Sequence, residues 1–508
     1  MTRASSRRRH RGGGARTGWR HEAPPFLTRR IPAYELLDEQ ALLELERHAD
    51  WLLGEIGIEI RDDPEALELF RAAGVSVDGE LLRFDPGQAR ALCATAPRTY
   101  TMHARNPAHS IEFGGDNLVF GSAYGSPFVS DLAGGRRYAT LADFHNFIKL
   151  TYQCPWLHHQ SGTVCEPTDI PVNKRHLDMV YAHLRYSDKP FMGSVTAPER
   201  AADSIAMASI VFGEEFMRDH LVIQGNINVN SPLVYDNTMT AALRTYAAAN
   251  QGNVISPFIM GGAMSPVTQP ALIAQAHAEV MVGIALTQLV RPGAPVVYGS
   301  FLTTIDLKSG APTFGTPEST LATMAIAQLA RRMGLPFRCG GHLTAAKTAD
   351  AQAMLESANA MTPAVLAGAN FIFQAAGWLE SGLTIGYEKF VMDAEQCGAL
   401  ARMIAGLSVD AEQLAADAYR EAGIGSTFLG VGHTMRHYQH ANFHAALADN
   451  SPFEQWREAG GLDMQQRAHR QWKALLDEYQ PPPIDAAVDE ALLDYVARRK
   501  MSMEDAWY

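Results

Sequence analysis

Eight short apolar runs recur along the sequence, and each is followed by a longer stretch whose apolar residues have helical spacing. Successive runs start 31 to 42 residues apart, 36 on average. The runs are LVFGSAYG (118–125), HHQSGTVC (158–165), FMGSVT (191–196), VIQGNINV (222–229), VISPFIMGG (254–262), VVYGSFLTT (296–304), FRCGGHLT (337–344) and NFIFQAAGW (370–378). Eight β-then-α units, here within 289 residues from Leu118 to Gly406, are what a (β/α)₈ barrel needs. The predicted fold class is α/β, a TIM barrel with N-terminal and C-terminal helical additions.

An open, doubly wound sheet also alternates strands and helices, but it is the weaker alternative. The first run lacks the Gly-rich phosphate loop typical of that fold. Helix-start signals agree with the barrel. Thr196-Ala-Pro-Glu199 is a predicted capping box, Thr316 stands before Pro317 in the same way, and Asp350 is a predicted N-cap.

The rest of the sequence divides into three segments around the barrel. Residues 1–30 carry nine arginines, three consecutive glycines and one acid, Glu22, which predicts a disordered basic tail. Residues 31–115 are predicted to form a mostly helical N-terminal region. The barrel is predicted over 116–410, and 411–508 is predicted to be a helical region that packs back on it.

Composition excludes several classes of protein. The net charge is −12, and the tail contributes +8, so the remaining chain carries about −20 and is a poor general nucleic-acid binder. The five cysteines are widely spaced without a C-x-x-C pair, which argues against a disulfide framework. No apolar run approaches the ~20 residues of a membrane span, and the basic tail lacks the apolar segment of a secretory signal. These features predict a cytoplasmic protein without nucleic-acid or membrane partners.

Candidate site residues follow the predicted strands, because the active site of this fold lies at the carboxyl ends of the strands. Aromatic rings recur there, with acids close to them, and this combination suits a cationic ligand. The alternative is that the aromatic side chains simply fill the barrel. The predicted substrate-binding residues are Tyr124, Phe301, Asp306, Lys308, His342, Gln374, Trp378 and Glu380.

Two other chemistries are weaker. Histidines at 433, 437, 440 and 444 have the spacing of one helix face, but no acid or cysteine completes a zinc site in the neighbouring sequence, so a polar helix face is favoured and no metal is predicted. Lys308 or Lys347 could form a Schiff base at the barrel mouth, yet lysines there are as often rim charges. No catalytic residue is assigned.

Several long blocks of the sequence resemble one known family. They are Ile56–Pro64 (IGIEIRDDP), Thr304–Glu318 (TIDLKSGAPTFGTPE), Ala369–Thr384 (ANFIFQAAGWLESGLT) and the three prolines at 481–483. From about residue 31 to 500 the chain is similar to the trimethylamine methyltransferase family. Within it, the sequence resembles the branch without pyrrolysine, which includes glycine betaine:corrinoid methyltransferases.

The resemblance implies a methyltransferase that moves a methyl group from a methylated amine to the Co(I) of a corrinoid (a cobalamin) carried by a partner protein, with no cofactor bound directly. The trimethylamine enzymes carry pyrrolysine in the barrel, whereas this sequence has standard residues, so a quaternary, betaine-type amine is the predicted substrate. Aromatic residues would hold its cation, and His342 or Lys308 its carboxylate. Homo-oligomer formation is left open.

Two further functions fit the same sequence. One is a non-catalytic protein that binds methylated amines, which would bind tightly without methylating reduced cobalamin. The other is a lysine- or metal-dependent TIM-barrel enzyme of another class, which borohydride trapping or stoichiometric zinc would reveal. Fold alone does not separate these functions.

Overall fold

The predicted barrel is confirmed, and all eight apolar runs contribute to its wall. The computed structural model describes Trp19 and residues 24–507. Seven of the wall positions are parallel strands, and the second position is an extended segment, 158–161. The strands are Asn117–Phe120, Phe191–Met192, Ile223–Val229, Gly252–Gly261, Val296–Gly299, Phe337–Gly340 and Phe371–Phe373.

Backbone hydrogen bonds close the sheet on itself. The last strand pairs with the first in parallel. On the other side of the first strand, the His158 amide donates to the Phe120 carbonyl at 2.9 Å. The Met192 amide donates to the Ser161 carbonyl at 2.7 Å, which joins the second position to the third. The strands therefore form a ring with no free edge at this point.

One helix follows each wall position, as the (β/α)₈ pattern requires. Thr316 and Asp350 act as N-caps as predicted, since their side chains accept from the amides of Ser319 and Ala353. The predicted capping box at Thr196 is wrong, because its hydroxyl instead accepts from the Arg200 guanidinium at 2.7 Å. The helices are Leu141–Gln153, Arg175–Tyr186, Pro198–Phe212, Asn237–Ala248, Gln269–Val290, Pro317–Arg332, Ala351–Leu366 and Tyr387–Ile404, with a short Glu214–Asp219 after the third.

Helix Gln269–Val290 is long and apolar enough by composition to cross a membrane, but 89% of its most apolar window is buried inside this fold. It packs against its own barrel strand and against the helices on both sides of it. A helix that is apolar all round is what a position between barrel wall and outer helices requires.

The N-terminal part of the chain covers the amino end of the barrel and the outside of helix Gln269–Val290. Strands Tyr100–Met102 and Ile111–Phe113 form a hairpin whose Met102, Ile111 and Phe113 side chains pack against interior residues of the wall strands. This hairpin closes the amino end of the barrel. The other N-terminal elements are Glu39–Trp51, the π-helix Leu52–Ile56, Ile58–Ile60, Pro64–Ala72, Ser76–Asp78, Leu81–Arg83, Gln88–Leu92 and the short 3₁₀ turn Pro107–His109.

The predicted disordered tail includes residues that are ordered in the structure, just before the barrel. Residues 1–18 and 20–23 lie outside the described residues, but Leu27–Thr28 forms a strand antiparallel to the start of Asn117–Phe120. Arg29 is buried, and its guanidinium donates to the Ala369 carbonyl at 3.0 Å. The high arginine content masked this short strand, since Leu27 supplies the apolar contact and Arg29 bonds to backbone.

The C-terminal segment returns two long helices to the barrel. Met464–Glu478 packs on Tyr387–Ile404, where Glu388 accepts from His469 and Trp472 at 2.6 and 3.0 Å. Ala486–Met501 packs on the second and third barrel helices. Short helices precede them at Ala411–Leu414, Ala416–Ala422, Gly432–His437 and Phe453–Glu458. The proposed divisions of the chain at 115 and 410 stay predictions.

Candidate functional site

The inner side chains of the fifth strand show how the barrel interior is layered. Val254 lies in the fully buried apolar floor formed with Val297 and Phe371. Ser256, two residues further, is polar and buried. Phe258, two residues further again, is half-buried and packs on Phe301, with ring centroids 5.3 Å apart. Because alternate residues share one face of a strand, these three residues mark a floor, a polar layer and an aromatic mouth.

The aromatic mouth is built largely from residues that the sequence singles out. Phe301 lies 5.8 Å from Trp378 and 5.7 Å from Phe314, centroid to centroid, and Trp378 lies 5.9 Å from Phe314. Gly382 has a φ of 95°, and a Cβ there would lie 2.5 Å from the Trp378 ring. The glycine therefore lets the backbone lie against the indole and fix its position.

Two small pairs of strands carry this aromatic cluster. Phe301–Ile305 follows the sixth strand in the chain and pairs with the fifth strand in parallel. It forms a hairpin with Pro312–Thr313, which places Phe314 beside Phe301. Trp378–Leu379 pairs with Thr384–Gly386, which continues into strands Phe128–Asp131 and Gly135–Tyr138. Sequence reasoning missed Phe314 because it lies in a hairpin after the barrel strand.

Tyr124 lies on the other side of the mouth. Its ring packs on Phe373 with centroids 5.4 Å apart. Tyr124 and Trp378 are both predicted substrate-binding residues, and the structure connects them indirectly. The guanidinium of Arg338 lies 4.9 Å from the Phe373 ring and 5.5 Å from the Phe301 ring, between the two aromatic groups.

Arg338 is a second residue of this site that sequence reasoning missed. It points inward from the seventh strand and is 3% exposed. Its Nη1 donates to the Ser256 hydroxyl at 2.8 Å and to the Ser300 carbonyl at 3.1 Å, and its Nη2 donates to the Gln374 side-chain oxygen at 3.2 Å. The sequence did contain an indication of its role, because Arg338 is a charged residue inside the apolar run FRCGG and occupies an inward-facing position of the strand.

Gln374, a predicted site residue, positions Arg338. It has a φ of 50°, in the left-handed region that non-glycine residues rarely adopt. Its amide donates to the Ser122 carbonyl at 3.1 Å, and its own carbonyl accepts from the His342 amide at 2.9 Å. These two bonds hold the backbone in that conformation, so that the side-chain oxygen reaches Arg338.

Asp306 and Lys308 lie on a turn after the added strand at the mouth. Lys308 is exposed, and its amide donates to the Asp306 carboxylate at 3.1 Å. The Ser309 hydroxyl also donates to Asp306, at 2.7 Å, and these hydrogen bonds lower the pKa of that carboxyl. Asp306 therefore stabilises its own turn. The roles of Asp306 and Lys308 as substrate ligands stay predictions.

Glu380 and His342 also have protein partners. Glu380 pairs with Arg136 at 2.7 Å and accepts from the Thr384 hydroxyl at 2.6 Å. His342 is fully buried, with Nδ1 2.6 Å from the Ala375 carbonyl, and burial lowers its pKa. A neutral imidazole bonded to backbone does not supply the cation that a carboxylate ligand needs. The role of His342 as carboxylate ligand stays a prediction.

The histidine row is only partly helical. Helix Gly432–His437 includes His433 and His437 but ends before the other two histidines. The structure brings in an acid that sequence spacing did not show, Glu412, and one ligand atom from each of the three residues lies within 4.8 Å of the others. Arg436 binds the same carboxylate oxygen as His437, at 2.9 Å. The group is an ion-paired cluster on the exposed C-terminal segment.

Comparison with known proteins supports a single assignment. A glycine betaine methyltransferase of Desulfitobacterium hafniense (strain Y51) is 39% identical over 470 residues, covering 92% of this chain and 98% of that protein. A trimethylamine methyltransferase, MttB, of Desulfitobacterium hafniense (strain DSM 10664 / DCB-2) is 28% identical, covering 87% and 89% of the two chains. A proline betaine:corrinoid methyltransferase of Eubacterium limosum is 27% identical, covering 91% and 95%.

The family described as trimethylamine methyltransferase (MTTB) matches residues 3–504, which is nearly the whole sequence. The match includes the barrel, the aromatic mouth and both terminal regions. The chain belongs to the trimethylamine methyltransferase family.

Proposed function

We propose that this protein transfers a methyl group from a quaternary methylated amine to the Co(I) of a corrinoid that a separate protein carries. The observation that carries this proposal is the aromatic mouth. Phe258, Phe301 and Tyr124 are half-buried at the strand ends, and Trp378 lies behind them. Ring faces attract a desolvated quaternary ammonium by up to about 2 kcal/mol each, and they do so without a carboxylate.

The chemistry of such a donor agrees with the residues present. When the methyl carbon is transferred, the C–N bond breaks and its electron pair stays on nitrogen. A quaternary ammonium thereby leaves as a neutral tertiary amine, and no proton has to be supplied. The protein then needs to position the donor in line with its acceptor and to exclude water. An apolar, aromatic site without an acid–base pair is suited to that task.

The acceptor has to reach the donor from the open end of the barrel. The amino end is filled by Met102, Ile111 and Phe113. The mouth is therefore where a corrinoid on its carrier protein would meet the donor. The corrinoid is a substrate of this reaction, and the polar and aromatic layers described above act on the donor alone.

The test follows the cobalamin spectrum under reducing, oxygen-free conditions with one donor at a time. We expect methylation of cob(I)alamin with glycine betaine or a related quaternary amine, and little or none with trimethylamine. Faster methylation from trimethylamine than from every quaternary amine tried would contradict the proposal. Tight binding of these amines with no methylation, of free or protein-bound corrinoid, would instead identify a binding protein.

A further inference from the structure

We propose that Arg338 is the binding site for a carboxylate, so that the donor is a zwitterion with its anionic end in the polar layer and its ammonium in the aromatic mouth. This inference rests on the proposed function for the identity of the methyl donor, but it concerns recognition and not transfer. It assigns a ligand to a buried cation that the barrel itself leaves without a counter-ion.

Arg338 makes no ion pair with any described residue, and the groups that accept its hydrogen bonds are uncharged. Its hydrogen-bond acceptors are a hydroxyl, a backbone carbonyl and an amide oxygen, and its Nε has no partner among the described residues. Burial lowers its pKa to about 10. The titratable neighbours that oppose this shift are Cys339 and Tyr124, whose own pKa values burial raises to about 12, so both are neutral at pH 7.

An isolated buried charge is costly, and proteins retain one where a ligand completes it. The guanidinium fork matches a carboxylate in two parallel hydrogen bonds, which a lysine ammonium does not reproduce. Here two rings flank the guanidinium, Phe373 at 4.9 Å and Phe301 at 5.5 Å. They hold its plane without neutralising its charge. The free Nε leaves donor capacity for an incoming anion.

The layers fix the direction of the ligand. Arg338 bonds Ser256, whereas the next inward residue of the same strand, Phe258, contacts Phe301 in the mouth. Two residues of a strand span about 7 Å. The carboxylate would therefore lie about one layer below the rings. In glycine betaine a single methylene separates carboxylate and ammonium, so the N-methyl groups would point to the open end.

A second buried polar group, beside the polar layer, also lacks a partner. Asn226 is buried, and its side-chain oxygen has no hydrogen-bond partner among the described residues, while its nitrogen donates to Asn228 at 3.1 Å. Asn228 is the cross-strand partner of Ser256, so these residues adjoin the acceptor of Arg338. Burial of that amide oxygen without a partner has a cost, as it does for the unpaired Nε of Arg338.

The experiment compares glycine betaine with choline by isothermal titration, because both carry a trimethylammonium group and only glycine betaine carries a carboxylate. We expect the wild-type protein to bind glycine betaine at least tenfold more tightly. In Arg338→Met we expect glycine betaine affinity to fall by about a hundredfold, with choline affinity within threefold of wild type. Arg338→Lys should recover a part of the loss, since it restores charge without the fork.

Two controls separate recognition from folding. Arg218→Met makes the same substitution at an exposed position and should leave both affinities unchanged. The melting temperature of Arg338→Met should equal or exceed that of the wild type, because the variant removes an uncompensated buried charge. A structural arginine would instead give a lower melting temperature and equal losses for both ligands.

Several outcomes would overturn the inference. They are equal wild-type affinity for both compounds, no measurable binding of glycine betaine, or equal weakening of both by Arg338→Met. These results are distinct from failure of the proposed function. Carboxylate-selective binding without methyl transfer would leave this inference standing and remove the proposed reaction. Efficient transfer from choline and betaine alike, unaffected by Arg338→Met, would support the proposed reaction and overturn the role of Arg338.

Discussion

Trp378 has neighbours that leave its indole little freedom. It is 6% exposed, with Phe301 and Phe314 at its edges and Gly382 against its ring. A desolvated cation–π contact is worth up to ~2 kcal/mol, so Trp378→Ala should weaken a quaternary ligand by roughly thirtyfold. Trp378→Phe keeps a ring and should lose less. Isothermal titration measures both, and unchanged affinity in Trp378→Ala would exclude a role in cation binding.

At the same scale, sequence reasoning finds residues of the mouth that directly follow a predicted strand. It misses residues inside a strand and residues in a hairpin that comes after the strand. Phe301 and Trp378 could be found because the strand ends were predicted correctly. Arg338 was hidden inside an apolar run, where its inward direction depends on strand phase, and Phe314 depends on a hairpin of long-range pairing. Glu380 and Asp306 are close to the aromatic residues in sequence. In the structure the carboxylate of Glu380 accepts from Arg136, and that of Asp306 accepts from Ser309.

At the scale of elements, Asp203 attaches the last helix, Ala486–Met501, to the barrel. Its buried carboxylate accepts from Tyr495 at 2.7 Å and Arg499 at 2.6 Å, and His176 lies 3.0 Å away. Burial would raise the pKa of this carboxyl, but the hydrogen bonds from His176, Arg499 and Tyr495 outweigh burial and lower it. A depressed pKa means that the folded state favours the ionised form.

Asp203→Asn should therefore lower the free energy of unfolding by about 2 kcal/mol at pH 7. The Asp203 contribution is present above the unfolded pKa of about 3.9 and is lost as the pH falls through the lower folded value. The stability gap between wild type and variant should narrow below about pH 4, as measured by urea unfolding. Asp494→Asn, in an exposed pair with Arg498 on the same helix, should change stability by less than about 0.5 kcal/mol. An equal effect of both substitutions would contradict the anchoring role.

The elements themselves were largely predictable, because apolar periodicity and short connections define a (β/α)₈ pattern even when single signals fail. The second wall position was found as a run although it forms only an extended segment with an isolated bridge. The Thr196 capping box failed because Arg200, one turn on, competes for the hydroxyl. Leu27–Thr28 could not be found, since a two-residue strand has no periodicity and depends on its partner.

For the whole molecule, the rim of the mouth is where a carrier protein would dock. Lys308 is exposed on the turn that extends beyond the aromatic layer. We expect Lys308→Glu to slow methyl transfer to protein-bound corrinoid more than transfer to free cobalamin, because a rim charge acts mainly on association. Arg83→Glu reverses an exposed charge in the N-terminal sheet and should affect neither acceptor. Equal slowing with both acceptors, measured at several salt concentrations, would count against docking at this rim.

The hairpin that fills the amino end of the barrel has a kinetic consequence for such an enzyme. Because Met102, Ile111 and Phe113 fill that end, the donor, the acceptor and the demethylated amine would all use the opening at the other end of the barrel. The demethylated amine would then stay beneath the acceptor for as long as the carrier remained bound. Turnover would then have a compulsory order, in which the donor enters first and the amine leaves last, after the methylated carrier has gone.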